Sequence, residues 1–137
     1  MHQRLLDEAK TDDDYDFSSY YTNIKPYIEQ ADLAFVNQET ILGGGKASGY
    51  PYFNTPDAMA KNLHDVGFDI VNGSTNHALD QGYEGIQHSI QVFKNYQDMH
   101  YIGLYQSQEE RDQIQVVEKD GLRIAFLAYN QMLNYTE

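Results

Sequence analysis

Three short apolar runs along the chain alternate with longer stretches of mixed polarity. Residues 33–36, 68–71 and 101–104 are rich in strand-forming side chains and are flanked by polar positions. Short apolar runs of this kind are typical of strands in a parallel sheet, because such strands are buried on both faces. The pattern therefore predicts three buried strands at these positions.

The stretches between the predicted strands show helical periodicity. Apolar residues recur every three or four positions over residues 20–28, 57–66 and 86–93, as they do in a helix that buries one face. Pro26 lies inside the first of these stretches. Because proline has no amide hydrogen to donate within a helix, we expect it to kink that helix or to split it in two.

Several boundaries are marked by residues with strong conformational preferences. Thr55 and Pro56 favour the start of the second helix, as a capping hydroxyl and as a first helical residue. Gly67 favours its end. Asp120 and Gly121 lie between two strand-like stretches, which is the sequence pattern of a β-hairpin.

The order of strand, helix, strand, helix, strand and hairpin predicts an α/β fold. We expect a mostly parallel sheet flanked by helices, with a C-terminal hairpin, in a single domain of 137 residues. Crossovers between parallel strands are right-handed and return the chain to the same edge, so the carboxyl ends of the first two strands should lie side by side. Ligands of open α/β sheets bind at that edge.

Composition and charge limit the classes of partner. The chain has 9 Lys and Arg against 21 Asp and Glu, a formal charge of −12, and no basic cluster. A nucleic-acid partner is therefore not expected, and an anionic membrane surface would repel the chain. There is no cysteine, no apolar run long enough to cross a membrane and no signal-peptide core. We expect this chain to be soluble, with any anchor or export signal outside it.

Polar residues that could carry chemistry follow the first two predicted strands. Asn37 and Glu39 come after the first strand and should share one face, since side chains alternate along extended backbone. Asn76, His77 and Asp80 follow the second strand. Oxygen and imidazole groups of this kind are ligands for a divalent metal, which could be Mn, Fe, Zn or Mg. Asn37 is the candidate for substrate binding.

Each remaining candidate has a possible role in metal-assisted hydrolysis and a simpler alternative. Glu39 and Asn76 could bind the metal, His77 could act as the catalytic acid, and Asp80 could orient His77. Alternatively, the asparagines could cap loop backbone, Glu39 could face solvent, and Asp80 could cap the next helix. Ser74 lacks the G-x-S-x-G frame of a serine hydrolase, which disfavours that class.

Taken together, these segments resemble the CapA family of bacterial poly-γ-glutamate capsule-synthesis proteins. The resemblance covers residues 15–129. Its matching stretches are ADLAFVNQET at 31–40, YPYFNTP at 50–56, GFDIV at 67–71, NHALD at 76–80 with Gly82, and GLRIAFLAY at 121–129. That family is similar to the calcineurin-like metallophosphoesterases. The resemblance implies a sandwich in which helices flank two sheets.

The resemblance also implies roles for individual residues. Asn76 and His77 match the Asn-His motif of the superfamily, and Glu39 falls where an acidic metal ligand is expected. The Gly-Asp motif that ends the leading strand in the family is absent here, and so are the later histidine motifs. Residues 1–137 are therefore expected to be one truncated domain without the first strand and the C-terminal part. We expect this chain to be inactive by itself, and a homodimer could form through the exposed sheet edge.

Two functions follow from the resemblance. In the first, the parent protein is a metal-dependent hydrolase that makes or anchors the capsule on the extracellular side of the bacterial cell membrane. In the second, it is a non-catalytic subunit that binds the capsule polymer or the membrane synthetase subunits. An acidic domain should repel polyglutamate unless cations bridge the two, which is a difficulty for direct polymer binding.

Overall fold

Three parallel strands form the sheet that positions the candidate site. The strands are β1 (Phe35–Asn37), β2 (Ile70–Asn72) and β3 (His100–Ile102), in the order β1-β2-β3. They belong to a computed structural model that describes residues 1–134. Asn37 is in register with Asn72, and Asn72 with Ile102. The carboxyl ends of the strands therefore lie side by side at one edge of the sheet. The predicted α/β class with a parallel sheet is confirmed.

The first two strands begin two residues later than the sequence predicts. At their start, the Asp69 carboxylate accepts a hydrogen bond from the Ala34 amide at 2.7 Å, and the Asp69 amide donates to the Ala34 carbonyl. This side-chain contact takes the place of a regular ladder bond. Both strands instead extend to an asparagine at the carboxyl end, so polar side chains lie within the ladder at the site edge.

Six helices surround the sheet in the described part of the chain. They are α1 (Gln3–Ala9), α2 (Ser18–Tyr21), α3 (Lys25–Ile28), α4 (Ala58–Val66), α5 (Gly82–Phe93) and α6 (Gln108–Asp112). The helix predicted around residues 20–28 is split into α2 and α3, with Pro26 in the first turn of α3. No helix within residues 1–134 has both the length and the apolar character required to cross a membrane.

The boundaries of α4 agree with prediction at one end only. Gly67 ends the helix in the left-handed region at φ 102°, as predicted. Thr55, however, does not cap the start of α4. Its hydroxyl lies 2.6 Å from the hydroxyl of Thr40, because the chain before the helix packs against the segment that follows β1.

The hydrophobic core joins α1, α4 and α5 to the sheet. Its buried members are Leu6, Ala9, Phe17, Leu42, Met59, Ala60, Leu63, Val71, Phe93 and Met99. The Phe93 ring stacks on the Tyr101 ring with centroids 4.0 Å apart, which fixes α5 against β3. Helices α1, α4 and α5 therefore support the sheet whose carboxyl edge carries the candidate site.

A separate two-stranded sheet follows the parallel one. β4 (Gln115–Lys119) and β5 (Leu122–Phe126) pair antiparallel. The turn residues Asp120 and Gly121 have φ values of 49° and 80°, as a tight turn with two left-handed positions requires. The predicted C-terminal hairpin is confirmed, and it directs the following residues back towards the carboxyl edge of the parallel sheet.

Candidate functional site

The segments that follow β1 and β2 run side by side at the carboxyl edge of the sheet. Thr40 and His77 form an isolated parallel bridge. The Thr75 hydroxyl donates to the Glu39 carbonyl at 2.6 Å. The expected convergence of the two segments is therefore present, and it brings the side chains of both strand ends into one polar edge.

His77 and Asp80 form a close pair within this edge. His77 Nδ1 lies 2.7 Å from Asp80 Oδ2, with the Asp80 side chain 0% exposed and the His77 side chain 14% exposed. The same carboxylate oxygen accepts a hydrogen bond from the Phe53 amide at 2.9 Å. Because an ionised carboxylate only accepts, the contact places a hydrogen on Nδ1, so that Nε2 is the nitrogen at which the ring can gain or lose a proton. Asp80 does not cap α5, which has no side-chain cap.

The second oxygen of Asp80 is buried without a protein partner. Among residues 1–134, no hydrogen-bond donor reaches Asp80 Oδ1. The Met1 ammonium lies close by and donates to the hydroxyl of Thr40 at 2.7 Å and towards that of Thr55 at 3.5 Å. Burial lowers the pKa of the Met1 amino group to about 6, while the carboxylates of Asp80 and Glu39 act in the opposite direction. The edge thus holds a half-buried amine, whose charged form is disfavoured by burial, beside a buried acid.

The loop before α4 places an aromatic ring against the pair of His77 and Asp80. The Phe53 ring is perpendicular to the His77 ring, with centroids 4.6 Å apart. Gln81 donates to the Phe53 carbonyl at 3.0 Å. The Asn54 amide makes three contacts of 2.5–3.0 Å with backbone groups of residues 43–46. These bonds hold the loop in place, so that its backbone amide reaches the Asp80 carboxylate.

Three side chains form a continuous hydrogen-bonded row along the strand ends. The Ser74 amide donates to Asn72 Oδ1 at 3.0 Å, and Asn72 Nδ2 donates to Asn37 Oδ1 at 2.7 Å. Asn37 Nδ2 then donates to Glu39 Oε2 at 2.8 Å. Asn37 and Glu39 are exposed at the rim. Glu39 therefore faces solvent, as the simpler alternative supposed, but its carboxylate is also held from one side.

The segment after the hairpin crosses over the loop that contains His77. Asn130 Nδ2 donates to the Thr75 carbonyl at 2.7 Å, and the Asn134 amide donates to the Asn76 carbonyl at 2.9 Å. Asn134 Nδ2 lies 3.3 Å from Nδ1 and 3.2 Å from Nε2 of His77. A donor that is this close to both nitrogens must lie over the ring face, because Cε1 would block it in the ring plane.

The donor set of the edge does not complete a metal site. Within residues 1–134, no group of three or more His, Cys, Asp or Glu side chains is arranged to hold a metal ion. His77 Nδ1 and Asp80 Oδ2 are bonded to each other, and Glu39 Oε2 is bonded to Asn37. The metal implied by the resemblance does not fit these residues as a set, so we derive no chemical step through it.

The structure brings the five candidate residues to the same edge but joins them in two groups. Asn37 and Glu39 belong to the row along the strand ends, and His77 and Asp80 form the buried pair. Asn76 is half-buried beside His77, and its carbonyl holds the crossing segment. The roles proposed for these residues stay predictions.

Sequence reasoning missed several residues of the edge. They are Thr40, Phe53, Thr55, Asn72, Asn130 and Asn134. Asn72 could have been predicted from the sequence, because it directly follows the second apolar run, as Asn37 directly follows the first. Asn130 and Asn134 carried no local signal, since only the path of the hairpin brings them to the site.

Comparison with known proteins identifies the group to which the chain belongs. Residues 1–137 match the family described as "Bacterial capsule synthesis protein PGA_cap". The chain is also similar to the capsule biosynthesis protein CapA of Bacillus anthracis, with 24% identity over 115 residues. That match covers 80% of this chain but only 28% of the relative's length. No solved structure matches the chain. The chain is a member of the bacterial capsule synthesis protein family, PGA_cap.

Proposed function

We propose that the chain carries the acid–base part of a hydrolytic site in a capsule biosynthesis protein. In this proposal, His77 transfers the proton and Asp80 is its positioning residue. The observation that carries the proposal is the 2.7 Å contact between His77 Nδ1 and a carboxylate that is 0% exposed. A buried carboxylate that fixes one ring nitrogen leaves the other nitrogen available for chemistry.

The proposed reaction is hydrolysis of an ester or amide-like bond. The oxygen of water adds to the electrophilic centre, the scissile bond breaks as the leaving group takes a proton from Nε2 of protonated His77, and the proton released by the water returns to Nε2. Asp80 stabilises the imidazolium that precedes this transfer. Because the carboxylate is removed from water, its interaction with a positive ring is less screened than at the surface. Phe53 limits the directions from which water can reach the ring.

The exposed rim is the proposed place for the polar part of the substrate. Asn37 and Asn76 offer amide groups there, and Glu39 offers a carboxylate whose second oxygen is not in the row. The capsule polymer or a precursor of it is the proposed substrate, because the family is one of capsule synthesis.

The test compares two histidine–aspartate pairs in the protein as the cell makes it. His77→Gln and Asp80→Asn alter the buried pair. His88→Gln and Asp57→Asn alter a second pair, whose members lie 2.8 Å apart but are 39% and 48% exposed. We expect capsule output to fall at least tenfold in the first two variants and to stay near wild type in the second two, at equal protein levels. Wild-type output from His77→Gln would refute a role in acid–base chemistry.

A binding role without catalysis is the second candidate. One observation favours it: five asparagine side chains lie along the edge, and amides form hydrogen bonds to carbonyls and amides of a polymer. They are Asn37, Asn72, Asn76, Asn130 and Asn134. Polymer binding measured by co-sedimentation, together with capsule output, separates the candidates. Retention of both by His77→Gln, with loss of both in Asn76→Ala, would favour the binding role.

A further inference from the structure

The row of side chains along the strand ends has one defined direction. At one end, the Ser74 backbone amide can only donate a hydrogen bond. At the other end, the Glu39 carboxylate can only accept one. The two asparagines between them must therefore each accept on the Ser74 side and donate on the Glu39 side. Each of the three contacts, at 3.0, 2.7 and 2.8 Å, agrees with this direction.

We propose that Asn72 is a positioning residue for Glu39 and acts through Asn37. Asn72 fixes which end of the Asn37 amide faces Glu39, and so determines that the rim carboxylate receives a donor. This inference rests on the proposed function only in that the rim is the proposed place for the polar part of the substrate. The positions themselves arise from strand pairing, because Asn37 and Asn72 are register partners on adjacent parallel strands.

The simpler role for Asn72 is local. An asparagine at a strand end commonly accepts a hydrogen bond from the amide two residues later and stabilises the turn. Asn72 does this with Ser74. The two roles use different atoms, since the turn needs Oδ1 and the row needs Nδ2. A substitution that keeps the acceptor and removes the donor therefore separates them.

Asn72→Asp makes that change with little alteration in shape. The introduced carboxylate would still accept from Ser74, but it could not donate to Asn37. The Asn37 amide would then turn to donate to this carboxylate and would present its oxygen to the Glu39 carboxylate, which is a repulsive contact. Glu39→Gln would repair this arrangement, because the glutamine amide can donate to the Asn37 oxygen. The double variant would thus have the same row with its direction reversed beyond position 72.

The test is urea unfolding of the wild-type chain, both single variants and the double variant at pH 7. We expect Asn72→Asp to decrease the equilibrium constant for folding roughly three- to tenfold, the effect of one lost hydrogen bond. Glu39→Gln should stay near wild type, because its oxygen still accepts from Asn37. The double variant should recover most of the loss. Equal losses in Asn72→Asp and in the double variant would overturn the proposal.

Recovery in the double variant has a second explanation, because that variant also relieves charge repulsion between the introduced carboxylate and Glu39. A series of salt concentrations distinguishes charge repulsion from the direction of the Asn37 amide. Repulsion at an exposed rim is screened between 0.05 and 0.5 M NaCl, at about 14 and 4 Å Debye length, whereas the direction of an amide is not. We expect the Asn72→Asp deficit to persist at high salt. Its disappearance there would overturn the proposal.

A spectroscopic readout follows the direction of the row itself. In wild type and in Glu39→Gln, the Asn37 side-chain amide donates to residue 39. In Asn72→Asp and in the double variant, it donates to residue 72. Nuclear Overhauser contacts of the Asn37 side-chain amide protons should therefore be strongest to residue 39 in the first two proteins and to residue 72 in the other two. Any other grouping would refute the mechanism. Neither readout requires activity, so a failed proposal for His77 would leave this result unchanged, and the converse also holds.

Discussion

The sharpest consequence of the buried pair concerns Asp80. Its Oδ2 atom accepts hydrogen bonds from the Phe53 amide and from His77, in a side chain that is 0% exposed. Asp80→Ala removes the acceptor for both donors and leaves the Phe53 amide buried. A buried donor without a partner costs about 1–3 kcal/mol, and a bond to a charged group contributes about 1.5–3 kcal/mol. We expect Asp80→Ala to lower the free energy of unfolding by about 3 kcal/mol.

Asp80→Asn should have a smaller effect. With its oxygen at the Oδ2 position, the asparagine still accepts from both donors, although these bonds lose the assistance of the negative charge. Its nitrogen then occupies the buried Oδ1 position, which no hydrogen-bond donor within residues 1–134 reaches. We expect a loss of about 1–2 kcal/mol, so the order of stability is wild type, then Asn, then Ala.

Urea denaturation followed by circular dichroism measures these differences, with an unchanged dependence on urea as the check that the native state is intact. Asp57→Ala is the matched control, because it removes a carboxylate from a histidine at an exposed site. Exposed pairs contribute about 0–1 kcal/mol. If Asp80→Ala cost no more than Asp57→Ala, the description of Asp80 as a buried, shared acceptor would be wrong.

Two further predictions concern the surroundings of the pair. In a chain with a free Met1 amine, the free energy of unfolding should rise with pH between about 6 and 8. In that range the unfolded amine, at its ordinary pKa near 8, binds more protons than the folded amine, whose pKa is about 6. Urea midpoints should show this rise, and N-terminal acetylation should remove it. Asn134→Ala should shift the ring ¹⁵N resonances of His77 by removing the amide over its face, whereas Gln131→Ala should not; equal spectra in the two variants would contradict that contact.

The parallel sheet could be predicted because its signal is local and repeated. Each strand is a short apolar run between helical stretches, and the handedness of crossovers determines where the strand ends meet. The boundaries were less accurate, because a polar residue such as Asn37 or Asn72 can complete a strand when its neighbour in register does the same. The sequence of a single strand does not show which residue of the next strand will be its neighbour in register.

Helix α1 was missed for a related reason. Its sequence, QRLLDEA, has few apolar positions and no side-chain cap. Short helices are marginal by themselves and are stabilised mainly by tertiary packing. Leu6 and Ala9 are buried in the core against residues distant in sequence, so the reason for this helix lies outside its own seven residues.

The comparison of two histidine–carboxylate pairs shows what the sequence could not decide. His77 with Asp80 and His88 with Asp57 have nearly the same separation, 2.7 and 2.8 Å. Their environments differ, since the first carboxylate is 0% exposed and the second 48% exposed. Water screens the exposed pair and lets its side chains move, whereas the buried carboxylate keeps one partner and one orientation.

Burial at Asp80 is itself a long-range property. It requires the loop before α4 to place the Phe53 amide against the carboxylate. Spacing alone therefore identifies which residues could form a pair, and the packing of distant segments determines which pair has the fixed geometry that proton transfer needs. The proposal for His77 therefore predicts that substitutions at His88 leave capsule output unchanged.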